Sequence, residues 1–430
     1  LKAGHLPAQT TPFVGRRQET ASVVALLADP NCRLLTLVGP GGIGKTRLSL
    51  QAASNLGEEH PDGLYLVELS GVSDPALVAR TVASVLGIRD EADRSGIETL
   101  ATALRDKRVL LILDNCEHLL DACAGLAGGL LAACPDLCLL ATSREPLRTA
   151  GEIIWEVPPL SLPGLDRLPS PQELAANDAV ALFTDRAQRV LPTFGLNNQN
   201  GPVVARLCHR LDGLPLAIEL AASRIRVLSV AQIHDRLDDA LRLLVGGDRL
   251  APTRQQTLRA TLDWSYELLR DDEQRLLQRL SVFSGSFGLE AVEAVCSGDG
   301  LEQAEILDLL SGLVDKSLVV AQRSRGETRR FRLLETIGWY ARERLVAAGV
   351  EEKWRAQHLH SYLRFAEQVD PTASWGILDL RLLERFDQER DNLRAAMRWA
   401  IEDGRAEEGH RLAATMAWFW YRRGLLREGM

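Results

Sequence analysis

Five short apolar runs, separated by amphipathic stretches, are the feature that most restricts the fold of this chain. The runs are LLTLV (34–38), LYLVE (64–68), VLLIL (109–113), LCLLA (137–141) and IIWEV (153–157). Continuous apolar strands that alternate with helices are typical of a parallel sheet covered on both faces, because such strands are buried on both sides. The sequence therefore predicts an α/β domain built on a parallel sheet.

The residues after this domain predict helical bodies and one hairpin. A Pro-rich segment at 158–173 ends the sheet domain, and GGDRLAPTR at 246–254 marks a second break. Helices followed by VVAQRSRGETRRFRLL (319–334), in which two strand-like runs flank a Gly-containing turn, predict a winged helix. We therefore expect a sheet domain over 1–160, a small all-α domain over 161–250, a winged-helix domain over 251–348 and a helical segment over 349–430.

Composition and charge exclude several classes of protein. No apolar run approaches the ~20 residues that a membrane-spanning helix needs, and no signal peptide is visible, so we expect a cytoplasmic protein. The formal net charge of -8 argues against a surface built mainly to bind nucleic acid. The first residue is Leu rather than Met, which suggests a piece of a longer chain.

The cysteine and histidine patterns indicate packing rather than metal binding. The seven cysteines are odd in number and form no CxxC pair, so we expect reduced, buried thiols. His358 and His360 form an HLH triplet without further ligands nearby, and we expect both on a helix surface.

The segment GPGGIGKT, at 39–46, fits the pattern G-x-x-x-x-G-K-[ST] and lies between an apolar run and a helical pattern. Its glycines let successive backbone N–H groups face phosphate oxygens at the positive end of the following helix. We expect Lys45 to reach the β- and γ-phosphates and the Thr46 hydroxyl to bind Mg²⁺. The alternative is a Gly-rich turn without a ligand, which has no need of a Lys-Thr pair. The expected nucleotide contacts of this segment are Gly39, Gly41, Gly42, Ile43, Gly44, Lys45, Thr46 and Arg47.

Charged side chains follow two of the other apolar runs. Asp114 is the expected second Mg²⁺ ligand, because the ends of parallel strands meet at the edge of the sheet where ligands bind. Its alternative role is a helix N-cap. Arg144 follows LCLLATS and is expected to bind the γ-phosphate with its planar donor fork, or else to be an exposed loop residue.

The residues available for hydrolysis predict a slow reaction. Phosphoryl transfer to water needs a group that orients the nucleophile. Asn115 can orient water through its carbonyl oxygen but cannot take its proton at neutral pH. Glu117 is the nearest carboxylate, and it is either the base or an acid in the first turn of a helix. These two residues complete the expected catalytic set of Lys45, Asp114, Asn115, Glu117 and Arg144. A slow hydrolase that retains its nucleotide is suited to setting how long a signalling state lasts.

Six motifs in order resemble the STAND class of signalling ATPases, and specifically its bacterial NB-ARC-like branch found in large transcriptional regulators. The motifs are TPFVGR (11–16), GPGGIGKT (39–46), VLLILDN (109–115), LLATSR (139–144), GLPLAIELAA (213–222) and FRLLETIGWYARERL (331–345). The resemblance covers nearly the whole chain. It implies ADP or ATP with Mg²⁺ as ligands, with ADP in the resting state, ATP in the active state and self-association on activation.

The resemblance also implies roles that spacing alone does not assign. Val14, Gly15 and Arg16 are expected to lie along the adenine, where the plain alternative is a tight turn before a helix. Pro215 and Leu216 are expected to contact the nucleotide from the helical domain, with the proline packed on the adenine. Without the resemblance, GLPLA is a helix–helix turn with Pro at the first helical position.

The winged helix departs from the pattern of plant and animal relatives. In those proteins a Met-His-Asp triplet places its histidine against the β-phosphate of ADP, whereas the aligned residues here are Leu333, Leu334 and Glu335. A leucine side chain cannot donate a hydrogen bond. Either another group, such as Arg332, supplies this contact or the ADP-bound state is held more weakly.

The charge of the winged helix bears on an alternative function, a DNA-binding ATPase similar to replication initiators. Residues 250–345 contain 13 Lys and Arg against 15 Asp and Glu. The expected recognition helix, within EQAEILDLLSGLVDKSL (302–318), offers one Lys and several acids. We therefore expect the winged-helix domain to act as an internal hinge of the protein. DNA binding is then expected only through an effector domain outside this sequence. The wing itself is basic through Arg323, Arg325, Arg329, Arg330 and Arg332.

The last helical pattern, RLAATMAWFWYRRGLLREG at 411–429, resembles the opening of a tetratricopeptide-type repeat. Such repeats bury their apolar faces by stacking, so we expect an inducer to act through repeats beyond this sequence. The alternative for Trp418, Phe419 and Trp420 is packing within this part of the chain.

Overall fold

The computed structural model describes residues 6–88, 95–164, 170–237, 244, 258–323, 329–368 and 380–424. The chain divides into two compact units, Leu1–Leu268 with Asp315–Ser317, and Leu269–Val314 with Leu318–Met430. The expected break at 246–254 and the wing residue Arg325 lie outside the described residues.

A five-stranded parallel sheet forms the centre of the first unit. Its strands are β1 (Leu34–Val38), β2 (Leu64–Glu68), β3 (Leu110–Asp114), β4 (Cys138–Ser143) and β5 (Glu152–Glu156). They lie in the order β2-β3-β4-β1-β5, and every neighbouring pair is parallel. The predicted α/β class is confirmed, because each apolar run became a strand at nearly the predicted bounds.

Burial along the strands explains why the apolar runs are continuous. Every residue of β1, β3 and β4 is buried, whereas the edge strand β5 is only partly buried. Leu111 of β3 packs in one core cluster with Val82, Leu100 and Leu126 of the covering helices. Burial of one such side chain stabilises the fold by roughly 1.5–3 kcal/mol relative to an exposed position. The helices of this layer are α1 (Arg17–Ala28), α2 (Lys45–Ala53), α3 (Val78–Leu86), α4 (Gly96–Leu104) and α5 (Leu120–Ala133).

Further helices complete the first unit after the sheet. They are α6 (Pro171–Ala175), α7 (Asp178–Val190), α8 (Gly201–Arg210), α9 (Pro215–Ser223), α10 (Val230–Asp235) and α11 (Leu258–Glu267). The Asn177 side chain caps α7 by accepting from the Val180 N–H, and Pro215 stands at the start of α9, where no N–H donor is needed. Helix α11 belongs to the same compact unit as the sheet.

The second unit contains a small antiparallel sheet and a set of helices. Strands β6 (Ser286–Gly288), β7 (Val320–Arg323) and β8 (Arg329–Arg332) lie in the order β6-β8-β7. Helices that precede a β-hairpin are the arrangement of a winged helix, and C-terminal helices follow it, as predicted. The helices are α12 (Asp271–Leu280), α13 (Leu289–Cys296), α14 (Ile306–Asp315), α15 (Glu335–Ala347), α16 (Glu351–Glu367), α17 (Leu380–Glu402) and α18 (Ala406–Arg423).

The aromatic residues of α18 pack inside the second unit. Trp418, Phe419 and Trp420 are buried in a cluster that includes Phe386 and Leu393. The alternative of packing within this part of the chain therefore holds for all three residues.

The cysteines lie where the sequence predicts, whereas the prediction for the HLH triplet holds only in part. All seven cysteines are buried and unpaired, as predicted. His358, by contrast, is buried between the rings of Phe283 and Tyr362, and burial lowers its pKa to about 4. The expected helix-surface position is wrong for His358, because this face of α16 forms aromatic core, and holds only for the exposed His360. In the described ranges, no helix has the length and apolar character needed to cross a membrane.

Candidate functional site

The GPGGIGKT segment (39–46), called the phosphate-binding loop below, joins the end of β1 to α2 and folds around the side chain of Lys45. Gly42 (φ +81°) and Gly44 (φ +92°) adopt the left-handed conformation, which costs glycine little because it has no Cβ. Lys45 Nζ donates to the carbonyl oxygens of Gly39 at 2.6 Å and Pro40 at 3.2 Å. The loop thus has the form that presents backbone N–H groups to an anion at a helix N-terminus.

The charge on Lys45 is poorly stabilised by the protein alone. The pKa of Lys45 is lowered to about 8, mainly by burial; Glu117 and Asp114 raise it, and Arg144 contributes to lowering it. An added anion beside the ammonium group would favour its charged form. The lysine is therefore poised to bind phosphate.

Asp114, at the carboxyl end of β3, accepts hydrogen bonds from two threonines. Thr46 Oγ1 donates to its Oδ1 at 2.7 Å, and Thr142 Oγ1 donates to the same oxygen at 2.6 Å. Burial raises the pKa of Asp114 despite these two hydrogen bonds. A divalent cation would offset the desolvation of this carboxylate, and carboxylate and hydroxyl oxygens suit Mg²⁺. The N-cap of the next turn is Asn115, so Asp114 does not take the capping role.

Arg16 lies beneath the phosphate-binding loop. Its Nη2 donates to the carbonyl oxygens of Ile43 at 2.8 Å and Pro158 at 2.9 Å, and its backbone N–H donates to Asp178 Oδ2 at 3.0 Å. The side chain ties the loop to the segment after β5, and the backbone ties it to the start of α7. Within the described part of the chain, the buried Nη1 has no hydrogen-bond partner, and Arg16 lines the cavity described below.

The N-terminus of α9 contacts the loop directly. The Leu216 N–H donates to the Gly42 carbonyl oxygen at 3.2 Å. A Cβ on Gly42 would lie 2.8 Å from Leu216 Cβ, and a Cβ on Gly44 would lie 3.8 Å from Pro215 Cγ. Pro215 and Leu216 are therefore brought against the phosphate-binding loop, although about 170 residues of chain separate the two motifs.

An ion-pair cluster closes the other end of the site. Arg47 Nη2 donates to the carbonyl oxygens of Thr11 at 2.8 Å and Pro12 at 2.9 Å. Glu219 Oε1 accepts from Arg186 Nε at 2.8 Å and lies 3.6 Å from Arg47 Nη1. The cluster holds the N-terminal segment against α2 and α9. Arg47 therefore has a structural role here, because it connects these three segments.

Arg144 directly follows β4, and its buried side chain contacts those of Glu117 and Ser265. Its Nε lies 3.2 Å from Glu117 Oε1, and its Nη1 donates to the Ser265 hydroxyl of α11. Ser265 Oγ in turn donates to the Thr261 carbonyl oxygen at 2.7 Å. Arg144 is therefore not an exposed loop residue. Ser265 and Thr261 belong to no motif, and nothing in their spacing indicates this position.

One cavity brings together most of the residues that the sequence singles out. The predicted residues that line it are Val14, Arg16, Gly41, Gly42, Gly44, Lys45, Thr46, Arg47, Asn115, Glu117, Arg144, Pro215 and Leu216. The lining residues without a predicted role are Phe13, Thr142, Leu160, Leu182, Arg186, Glu219 and Thr261. Gly15, Gly39 and Ile43 are absent from the lining, as is Asp114, which bonds Thr46. A Cβ on Gly15 would lie 2.5 Å from Asp178 Cγ, so that glycine serves close backbone packing.

Two family comparisons agree with this architecture. Residues 29–146 match the AAA domain family, and residues 269–346 match the winged helix-turn-helix domain family. The chain is thus an AAA-type P-loop protein with a winged helix, and AAA P-loop ATPases generally bind nucleotide with Mg²⁺.

Two relatives from Mycobacterium tuberculosis place the chain in a family. It is 47% identical over 406 residues to the protein named "Putative HTH-type transcriptional regulator Rv0890c", a match that covers 94% of this chain and 44% of that protein. It is 41% identical over 368 residues to "Uncharacterized protein Rv0894", covering 85% of this chain and 89% of that protein. The chain belongs to the same family as these proteins, and it spans less than half the length of the first.

One solved structure that the chain matches is the STAND protein with a tetratricopeptide repeat sensor from Pyrococcus horikoshii. The match has 17% sequence identity and a TM-score of 0.34, and it covers 98% of this chain and 58% of that chain. The NB-ARC-like branch, the tetratricopeptide-type repeat and the roles of individual site residues stay predictions.

Proposed function

We propose that this chain is the nucleotide-dependent switch of a STAND-type transcription regulator, with ADP in the resting state and ATP in the active state. The observation that carries the proposal is the cavity lined by the phosphate-binding loop, the N-terminal segment, α9 and α11. A nucleotide bound in this cavity would contact the N-terminal segment at Phe13 and helix α11 at Thr261 at the same time. Such a ligand stabilises one arrangement of these segments, which is the requirement for a switch.

The residues at the phosphate end support discrimination between ADP and ATP. Lys45 and Thr46 serve both nucleotides, whereas Arg144 is the assigned reader of the terminal phosphate. In the structure Arg144 is bonded to Glu117 and Ser265. Binding to a third phosphate competes with these contacts, so ATP and ADP favour different positions of Arg144 and α11. A ligand with equal affinity for both states would shift nothing.

The same residues support slow hydrolysis. When bound, Mg²⁺ supplies positive charge to the phosphate oxygens. Apart from the expected Mg²⁺ ligand Asp114, Glu117 is the carboxylate nearest to Asn115 in the sequence, but its Oε1 lies 3.2 Å from Arg144 Nε. Asn115 lines the cavity and can orient water without taking its proton. The switch therefore keeps its nucleotide for long periods.

The decisive experiment identifies the nucleotide that copurifies with the protein. The purified chain is denatured and the released nucleotide is separated by chromatography, for the wild type, Lys45→Ala and Lys107→Ala. Lys107 pairs with Asp62 and does not line the cavity, so it controls for the loss of one lysine in the same unit. We expect ADP in the wild type and in Lys107→Ala, and none in Lys45→Ala. Equal nucleotide in all three proteins would contradict the assignment of the site.

Activation by self-association needs a longer chain. We propose that an inducer acts through C-terminal repeats and that an N-terminal effector domain carries DNA binding. Light scattering of a chain extended to the length of the mycobacterial regulator, with a non-hydrolysable ATP analogue and inducer, should show an oligomer. A monomer at saturating ligand would count against this part of the proposal.

A second candidate function is direct DNA binding by the winged helix, which its family match favours. Against it, Arg330 of the wing is buried and bonded to Glu389 at 2.5 Å, so this arginine does not face solvent. A gel-shift assay separates the two candidates. Specific binding by this chain that weakens with salt would favour the DNA-binding function.

A further inference from the structure

A small cavity in the second unit is lined by three arginines. Arg342 lies on α15, Arg355 on α16 and Arg398 on α17, and the turn at 281–284 after α12 forms a further wall. All of these segments belong to the same compact unit. The cavity has a volume of about 160 Å³, whereas sites for drug-sized ligands have roughly 300–1,000 Å³. Its size therefore suits a small ligand.

Arg355 is incompletely paired at the wall of this cavity. Its side chain is 24% exposed, its Nη1 lies 3.8 Å from Glu351 Oε1, and its Nη2 lies 3.6 Å from Glu402 Oε2. Both separations are too long for hydrogen bonds. Burial lowers the pKa of Arg355, the positive charge of Arg342 acts in the same direction, and the neighbouring carboxylates act in the opposite one. An anion placed beside Arg355 would favour its charged form.

The other two arginines give the cavity an excess of positive charge. Arg342 Nε donates to Glu351 Oε1 at 3.0 Å, and Arg342 Nη2 lies 2.9 Å from the same oxygen. Arg398 is exposed, and its guanidinium group forms no hydrogen bond or ion pair with the rest of the described chain. Among the described lining residues, three arginines are therefore opposed by the single carboxylate of Glu351.

The turn at 281–284 supplies no backbone donor to this cavity. Its four N–H groups all have acceptors already. Three of them donate to carbonyl oxygens in the last turn of α12, and that of Ser284 donates to Asn392 Oδ1 at 2.8 Å. A ligand in the cavity must therefore be bound by side chains, in contrast to a ligand of the phosphate-binding loop.

The chemistry of the lining favours a doubly charged oxyanion. A guanidinium group is a planar fork of donors that matches carboxylate and phosphate oxygens. The phosphoryl group of a phosphate ester has three acceptor oxygens and a charge of about −1.5 to −2 at pH 7. It therefore matches both the number of arginines and their excess charge. A single carboxylate has only two oxygens and one charge.

We propose that Arg342, Arg355 and Arg398 bind the phosphoryl group of a small molecule, as a phosphate ester or as free phosphate. The bound anion connects α15 of the winged helix with α16 and α17, so it stabilises the second unit. The cavity shares no lining residue with the nucleotide cavity among the residues that the structure describes. The inference therefore does not depend on the proposed function.

The direct test is a binding titration with inorganic phosphate and with glycerol 3-phosphate. It uses the Lys45→Ala protein, because the phosphate-binding loop would otherwise take up phosphate as well. We expect saturable binding to this protein and about tenfold weaker binding when Arg398→Gln is added, since one charge-assisted contact is lost. Tighter binding of glycerol 3-phosphate would identify an ester as the ligand, and tighter binding of inorganic phosphate would identify the free anion. No saturable binding of either would overturn the proposal.

Arg411→Gln is the matched control for Arg398→Gln. Arg411 is an exposed arginine of α18 that pairs with Glu367 and does not line the cavity. Because both arginines are exposed, both variants should fold. Phosphate should raise the melting temperature of the control by mass action, and it should raise that of Arg398→Gln less. An equal loss of phosphate affinity in the two variants would overturn the proposal.

Glu351→Gln distinguishes anion binding from a merely structural role of these side chains. Glu351 competes with phosphate for Arg342, so its neutralisation should strengthen phosphate binding by about threefold. Glu352→Gln removes the same charge at the next position, which does not line the cavity, and should leave the affinity unchanged. Weaker binding in Glu351→Gln, or an equal gain in Glu352→Gln, would overturn the proposal.

Two further ligands test the chemical class. Malonate carries its two charges on separate carboxylates, and duplex DNA presents phosphates along an extended backbone. We expect malonate to bind less tightly than the phosphate ligands, and we expect Arg398→Gln to leave DNA binding unchanged. Tighter binding of malonate than of either phosphate ligand would overturn the proposal. DNA binding that Arg398→Gln abolishes, in a protein without affinity for the phosphate ligands, would also overturn it.

Discussion

Arg144 Nε lies 3.2 Å from Glu117 Oε1, and both side chains are buried at the wall of the nucleotide cavity. The sequence assigns these residues to separate tasks, the arginine to the γ-phosphate and the glutamate to water. Their pairing means that neither is available for its task while the contact persists. A buried pair is costly to break on one side, because the remaining charge is left uncompensated. A terminal phosphate is a suitable replacement partner for the arginine.

Neutralising Glu117 should therefore change the preference between nucleotides. In Glu117→Gln the hold on Arg144 is weaker, so we expect ATP to gain about tenfold over ADP, because a hydrogen bond to a charged group contributes roughly 1.5–3 kcal/mol. Calorimetric titration of both nucleotides measures the ratio. Glu68→Gln, at the exposed end of β2, is the control and should leave the ratio unchanged. Equal changes in ATP and ADP affinity would show that the pair does not restrain Arg144.

Nucleotide affinity should depend on pH through Lys45. The pKa of Lys45 is about 8, with burial as its main cause. Bound phosphates raise it, so binding takes up a proton above pH 8. Affinity should be constant below the pKa of the free protein and fall as pH rises through it, by at most about tenfold per pH unit. Calorimetry at several pH values, in buffers of different ionisation enthalpy, measures both the slope and the proton uptake.

A control for this pH dependence is Lys45→Arg. The guanidinium group stays charged throughout the range, so the slope should disappear even if the affinity itself is lower. A slope of the same size in this variant would assign the pH dependence to another group.

Two glycines allow the contact between α9 and the loop to be tested. Gly42 (φ +81°) and Gly151 (φ +79°) are both left-handed, and an alanine at either should cost about 1–2 kcal/mol through backbone strain. A Cβ on Gly42 would also lie 2.8 Å from Leu216 Cβ, whereas nothing lies within 4 Å of a Cβ on Gly151. We expect Gly42→Ala to lose nucleotide affinity and Gly151→Ala to lose only stability. Denaturation and nucleotide titration of both variants provide the comparison, and equal affinities would contradict it.

Local patterns predicted the sheet and the phosphate-binding loop well, because their causes are local. An apolar run that is buried on both faces must be a continuous strand, as in β1 and β3, and a loop of glycines before a helix has few other uses. The position of Asp114 follows from the same reasoning. It lies at the end of a strand next to Thr46, and the structure joins them by a hydrogen bond of 2.7 Å.

Long-range side-chain contacts were not predictable in the same way. Nothing near Arg144 in the sequence indicates Ser265, and α11 carries no motif that assigns it to the sheet unit. Arg16 illustrates the same difficulty, since its guanidinium bonds the carbonyl oxygens of Ile43 and Pro158 beneath the loop. His358 was misplaced because Phe283, one of the two rings that bury it, comes from a distant segment of the chain, although Tyr362 lies on the same helix. Such contacts depend on tertiary packing, which has no sequence period.

The wing of the second unit offers a test of what its arginines do. Arg330 is buried, and its Nη1 donates to Glu389 Oε1 at 2.5 Å, while Tyr362 and Asn392 donate to the other oxygen of Glu389 at 2.7 and 3.1 Å. Arg330→Met leaves Glu389 buried without its cation, so we expect a loss of about 3–5 kcal/mol in stability. Hydrogen exchange of the α17 amides reports this loss locally.

Arg329→Met is the matched control, because the neighbouring side chain is exposed and should change little. In the combined Arg330→Met, Glu389→Leu variant most of the loss should be recovered, since both charges are gone. A small effect of Arg330→Met on exchange, together with weakened DNA binding in a gel-shift assay, would instead assign Arg330 to a DNA-binding surface.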